Sequence, residues 1–193
     1  DKATNWGETP LYVACENGHV EAARLLLDKG AEIDRALSGM NTTRGQTPLY
    51  IACSKGHVDA ARLLLDKGAE VDRRTLYAAC KNGHDDVARL LLDKGADVNL
   101  AQNSATLLYI ACQNGHVDLV RLLLDKGAEV DRAMEDRTTP LCIACEEGHV
   151  DAVRLLLDKG AEVDRANKRG RRPLDIAKRN DHDAVVALLE EHL

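Results

Sequence analysis

The feature that most constrains this chain is a stretch that keeps returning. The run TPLYIACSKGHVDAARLLLDKGAEVDR, residues 47–73, has versions beginning near Thr9, Arg74, Thr106, Thr139 and Arg172, which together fill nearly all 193 residues. A unit copied at a near-constant period builds a stacked array, because each short unit can bury its apolar face only against its neighbours. The expectation is one elongated all-α domain over residues 1–193, a solenoid of helix-turn-helix units at approximately 9–46, 47–73, 74–105, 106–138, 139–171 and 172–193.

Residues 47–72 serve as the pattern. Thr47 and Pro48 suit a helix start, the hydroxyl capping free N–H groups and the proline ring holding φ near its helical value. Leu49, Ile51, Ala52 and Cys53 make a short apolar helix, and Gly56 ends it in a left-handed conformation that a side chain would resist. A second helix begins near His57 or Val58, buries Val58, Ala61, Leu64 and Leu65, leaves Leu63 for a neighbour and stops at Gly68. Asp59 stands three residues before Arg62, a spacing for surface ion pairs worth about 0.2–0.5 kcal/mol each. It recurs as Glu21/Arg24, Asp86/Arg89, Asp118/Arg121 and Asp151/Arg154.

These motifs resemble the ankyrin-repeat family, whose pattern opens Gly-x-Thr-Pro-Leu-His, continues Ala-Ala-x-x-Gly-His and closes Leu-Leu-x-x-Gly-Ala-Asp-Val-Asn. Here it reads Gly45, Thr47-Pro48-Leu49-Tyr50, Ala52-Cys53, Gly56-His57, Leu64-Leu65 and Gly68-Ala69-Glu70-Val71-Asp72. The resemblance covers essentially the whole chain. It implies stacked helix-turn-helix repeats joined by β-hairpin-like fingers, a histidine that braces each turn by hydrogen bonding between units, and a groove of fingers and inner helices that grips protein partners.

Departures from the pattern are informative. The chain opens in mid-repeat, with Gly7 in the finger position and Trp6 beside it, which raises the reading of a fragment or spacer of a larger protein. Residues Ala36–Arg44 carry about five extra finger positions, which loop-closure entropy tolerates at little cost. Between the second and third units the chain is about six residues short and loses its finger, since Val71-Asp72-Arg73-Arg74-Thr75 leads directly into Leu76. Such a closure is expected to strain the stack, and an absent segment between Asp72 and Thr75 explains it better than a true deletion. The last unit puts Lys178 at the cysteine position and Asp181 at the glycine position, which reads as a C-terminal cap with a polar outer face.

Cys15, Cys53, Cys80, Cys112 and Cys145 occupy one place in successive repeats, whereas a disulfide needs Cα atoms within roughly 7 Å. They are read as free thiols at a small-residue packing position, with Cys142 an isolated change, and they favour an intracellular, cytoplasmic setting. No apolar run reaches even 10 residues, so neither a signal-peptide core nor a membrane span is expected. A net charge of −6 does not advertise nucleic acid. The one basic cluster, Arg165, Lys168, Arg169, Arg171 and Arg172 with Lys178 and Arg179 nearby, could meet acidic protein, phosphate or nucleic acid, with a solvated finger as the alternative; the lack of interleaved aromatic platforms counts against nucleic acid.

His19, His57, His84, His116, His149 and His182 are copies of one position. In a solenoid they form a line with steps of roughly 10 Å and cannot converge on one metal ion. No unique constellation breaks the period, so no enzyme activity, cofactor or metal is expected. The expectation is a noncatalytic protein-binding scaffold, monomeric, with a protein or peptide partner. Matching the family's groove positions gives Trp6, Tyr12, Met40, Arg44, Gln46, Tyr50, Lys55, Lys81, Gln102, Asn103, Tyr109, Met134, Glu135 and Asp136 as contact candidates. The tyrosines, which replace the opening motif's histidine, are read as mainly structural.

Overall fold

The computed structural model describes residues 3–4, 7–37 and 45–193. It forms two compact units, residues 1–96 and 97–193. In the first, inner helices α1 (Pro10–Glu16), α3 (Pro48–Ser54) and α5 (Arg73–Lys81) alternate with outer helices α2 (Val20–Asp28), α4 (Val58–Asp66) and α6 (Asp85–Asp93). The second holds the short strands β1 (Ala101–Gln102) and β2 (Ala105–Thr106), then α7 (Leu107–Gln113) through α12 (Asp183–Glu190) in the same alternation: α8 (Val117–Asp125), α9 (Pro140–Glu147), α10 (Val150–Asp158) and α11 (Pro173–Arg179). Within each unit inner helices pack on inner helices, outer on outer, and each inner helix on its own outer partner.

Helices of seven to nine residues are too short to persist alone in water, so their stability must come from this packing. Leu11, Leu49, Leu64, Leu76 and Leu91 are fully buried in the first unit, as are Leu107, Leu119, Leu123, Leu141, Leu156 and Leu189 in the second. Ala14, Ala52, Ala111 and Ala144, each followed by a buried cysteine, keep the inner helices close. On α4, Ala61 and Leu64 are buried as expected, as are Ala60 and Leu63, while Val58 and Leu65 are only half-buried. The neighbouring outer helix covers Leu63, the contact the sequence reserved for it: Leu63 is 7 % exposed, whereas its counterpart Leu25, on the first described outer helix, is 62 % exposed.

Inner helices α1, α3, α7 and α9 each start on a threonine cap. Thr9, Thr47, Thr106 and Thr139 accept the backbone N–H three residues ahead, at 3.1 Å in every case. Where the finger is missing, Asp72 takes over and accepts the Thr75 amide at 3.0 Å. The anticipated strain is absent, because the left-handed non-glycine residues among those described are Asn103, Ser104, Arg137 and Asp181, all remote from this connection. Arg74 fills the finger's place: it donates to the Gly45 carbonyl at 2.7 Å, pairs with Asp72, and lies 5.9 Å from the Tyr50 ring centroid.

The repeated histidines join the repeats. Nε2 of His57 donates to the Glu16 carbonyl at 2.9 Å and Nε2 of His84 to that of Ser54 at 3.0 Å; in the second unit His149 reaches Gln113 at 3.3 Å and His182 reaches Glu146 at 3.0 Å. Each ring lies over the turn glycine of the repeat before it. A Cβ on Gly18 would stand 2.7 Å from His57 Nδ1, and one on Gly56 would stand 2.6 Å from His84 Nδ1. The expected ion pairs within the outer helices close only at Arg24–Glu21, at 3.6 Å, among the described residues. Charge pairing runs instead between repeats, as Lys67–Asp28, Lys94–Asp66 and Lys159–Asp125 at 2.9–3.0 Å, all exposed and each worth little alone.

All six cysteines are free and buried. Burial pushes the thiols of Cys15, Cys53 and Cys80 up to about 12, and those of Cys112 and Cys145 also upward. We expect none to react with a thiol reagent at neutral pH until denaturant is added; fast labelling of the folded chain would contradict the buried stack. Gly56 and Gly68 both have positive φ, +78° and +92°, but nothing lies within 4 Å of a Cβ at Gly68. Gly68→Ala should therefore cost about 1 kcal/mol from backbone strain alone, and Gly56→Ala about 2 kcal/mol or more, by urea unfolding. Equal losses would remove the role given to the histidine contact.

Burial raises the pKa of Asp72, but the hydrogen bonds from Arg74 and Thr75 outweigh it and leave the carboxyl below its usual value. A folded-state pKa below the unfolded one stabilises the fold above the unfolded value, and that contribution fades as pH falls through the folded value. Asp72→Ala should cost about 1 kcal/mol at neutral pH. The gap from wild type should narrow in acid; a pH-independent gap would show that the carboxylate charge is immaterial.

Candidate protein-binding groove

Of the contact candidates, Trp6, Met40 and Arg44 lie outside the described residues, as does most of the enlarged finger. The base of that finger is ordered, with Leu37 N–H donating to the Gln46 carbonyl at 3.0 Å and Gly45 N–H to the Leu37 carbonyl at 2.9 Å. Tyr12 is 3 % exposed, and its hydroxyl donates to Gln46 Oε1 at 3.1 Å, so these two candidates brace α1 against the end of the finger before α3. Tyr50 is half-buried under Arg74. Lys55, at the end of α3, lies 3.9 Å from Glu16 at the end of α1, and Lys81 is exposed at the end of α5.

In the second unit the finger is a two-residue hairpin, with Gln102 paired to Ala105 and Ala101 to Thr106. Asn103 and Ser104 form its tip at φ 50° and 67°, a turn that matches the strand twist and that asparagine tolerates. Ser104 Oγ donates to Glu135 Oε1 at 2.8 Å, tying this tip to the next finger. There Met134 N–H donates to the Thr138 carbonyl, and Asp136 accepts the Thr138 amide, both at 3.0 Å. The Asp136 carbonyl in turn accepts the Lys168 amide of the following finger at 2.8 Å. The fingers thus hold one another, and Gln102 Oε1 is buried among them with no hydrogen-bond partner.

Below the last two fingers lies a concavity of about 350 Å³ whose lining includes Tyr109, Asp136, Glu146, Arg169, Arg171 and Arg179. Asn167 shapes the arginine side, its Oδ1 accepting the amides of Arg169 at 2.9 Å and Arg171 at 3.2 Å. The Thr138 amide, with help from Arg169, holds Asp136 below the usual carboxylate range. Burial, reinforced by Asp136 and Glu146, pushes Tyr109 up to about 12, so its hydroxyl stays protonated. Arg169, Arg171 and Arg179 belong to the basic cluster noted in the sequence but not to its groove contact candidates, which end at Asp136. A signal was present, because Arg179 and Asn180 occupy in the sixth repeat the inner-helix-end position that Glu146 and Glu147 hold in the fifth.

Among the described residues no group of three or more His, Cys, Asp or Glu side chains is placed to hold a metal ion, and no helix is long and apolar enough to cross a membrane. No curated protein matches the chain. The crystal structure of the human ASB11 ankyrin repeat domain is similar to it, with a TM-score of 0.86 and 31% identity over 97% of this chain and 86% of that one. The family model described as ankyrin repeats (3 copies) matches residues 1–75, 72–134 and 130–192. Capped inner helices, glycine-bound histidines, paired fingers and a family match spanning nearly the full length place this chain in the ankyrin-repeat family.

Proposed function

We propose that the chain is a noncatalytic scaffold that binds a protein or peptide through its fingers and inner-helix ends. Ankyrin repeats generally mediate protein–protein interactions through the groove these elements form. One observation carries the reading for this chain. The residues that differ from repeat to repeat, such as Lys55, Lys81, Gln102, Asn103 and Glu135, sit at finger tips and inner-helix ends, while the recurring leucines, alanines and cysteines are buried.

A surface held by finger-to-finger bonds such as Ser104–Glu135 loses little conformational freedom when a partner docks, so its polar contacts can be spent on selectivity. Six unpaired thiols suit a reducing compartment, and the cytoplasm is where we place this binding.

Immobilised wild-type chain should capture a saturable partner from reducing cell extract. The variant Lys55→Ala/Lys81→Ala/Gln102→Ala should weaken that capture by about tenfold or more, equivalent to about 1.4 kcal/mol, while Arg62→Ala/Arg121→Ala/Arg154→Ala on the outer helices should leave it intact. Loss in the outer-helix variant with retention in the groove variant would overturn the assignment.

A further inference from the structure

We propose that the concavity of the second unit is an anchor for an acidic side chain, aspartate or glutamate, presented by a protein or peptide partner. The inference rests on the protein-binding reading above and gives that partner a chemistry.

The basic cluster divides by its ion pairs. Arg165 lies 3.6 Å from Glu162, Arg172 is 3.1 Å from Asp175, and Lys178 is 2.7 Å from Glu190. These cations are already answered by carboxylates of their own or a neighbouring helix or turn. Arg169, Arg171 and Arg179, the three that line the concavity, make no ion pair within 4.0 Å among the described residues. Three guanidinium groups without a carboxylate within 4.0 Å thus share one recess with Asp136 and Glu146, and a guanidinium fork matches a carboxylate with two parallel hydrogen bonds.

The opposite side sets the limit on what can enter. Asp136 already accepts the Thr138 amide, but it remains an anion, and Glu146 adds a second. Together they repel a dianionic phosphate more strongly than a single carboxylate, which can sit on the arginine side. A volume of about 350 Å³ accommodates one or two side chains of a strand. A nucleic-acid strand would instead need a continuous positive track with stacking platforms, whereas Tyr109 is the one aromatic ring in this lining.

Fluorescence anisotropy on the full chain tests this with three labelled probes: a short peptide of Asp and Glu spaced by Gly and Ser, its Asn/Gln counterpart, and single-stranded oligothymidine. The acidic peptide should bind tightest, and its affinity should fall steeply with added salt. Arg169→Gln/Arg171→Gln/Arg179→Gln should weaken it by about tenfold or more, whereas Arg89→Gln/Arg121→Gln/Arg154→Gln, which removes the same charge from outer helices, should change it by less than about twofold. Arg179→Gln alone, at an exposed helix end, should give a smaller loss in the same direction and guards against misfolding of the triple variant.

Equal loss in both triples would overturn the anchor, as would equal affinity for the amide peptide or tighter binding of oligothymidine through the same arginines. The extract experiment separates the two readings. A partner lost with the Lys55/Lys81/Gln102 variant but indifferent to the arginines would overturn the anchor and leave the groove standing. A partner indifferent to that variant would overturn the groove assignment while the peptide titration still decides the anchor.

Discussion

The imidazole that rests on a glycine of the preceding repeat is the contact on which the stack depends. Glycine supplies both the left-handed turn that ends the inner helix and the open face against which the next repeat's ring lies. The ring then donates to a carbonyl at the end of that inner helix, one of the groups a short helix cannot satisfy internally. Two needs of separate repeats are met by one residue pair, and the pair also sets how closely the repeats approach.

With the spacing so fixed, the rest of each unit follows. Alanine and cysteine on the inner helices allow close approach, leucines of the outer helices fill the layer behind them, and threonine caps begin every regular inner helix. The lysine–aspartate pairs along the outer helices register the repeats at their solvent edge but contribute little energy. The finger lost before α5 leaves this scheme intact because Asp72 caps and Arg74 bridges, so the stack needs the cap and the glycine–histidine contact more than it needs the finger.

Because the scaffold is satisfied internally, functional chemistry is confined to what the scaffold leaves over. In the first unit the groove-facing polar groups largely meet one another, as Tyr12 with Gln46 and Lys55 with Glu16. In the second unit a buried Gln102 oxygen has no hydrogen-bond partner, and three arginines lining one recess make no ion pair within 4.0 Å among the described residues. The difference arises from small local substitutions on an unchanged frame, which is how a repeat array can change its ligand without changing its fold.

The sequence by itself determined the repeat, its helix pairs, the glycine turns and the structural nature of the cysteines, because each depends on local periodicity or on residues copied in register. It placed Val58 among the buried residues of α4, where it is only half-buried, and it anticipated strain at Asp72–Thr75 that a side-chain cap removes. Nor did it separate Arg169, Arg171 and Arg179 from Arg165, Arg172 and Lys178, which look alike along the chain. Only the tertiary structure decided which cations meet a carboxylate and which are left facing a recess, since pairing depends on distances between side chains that neither spacing nor composition specifies.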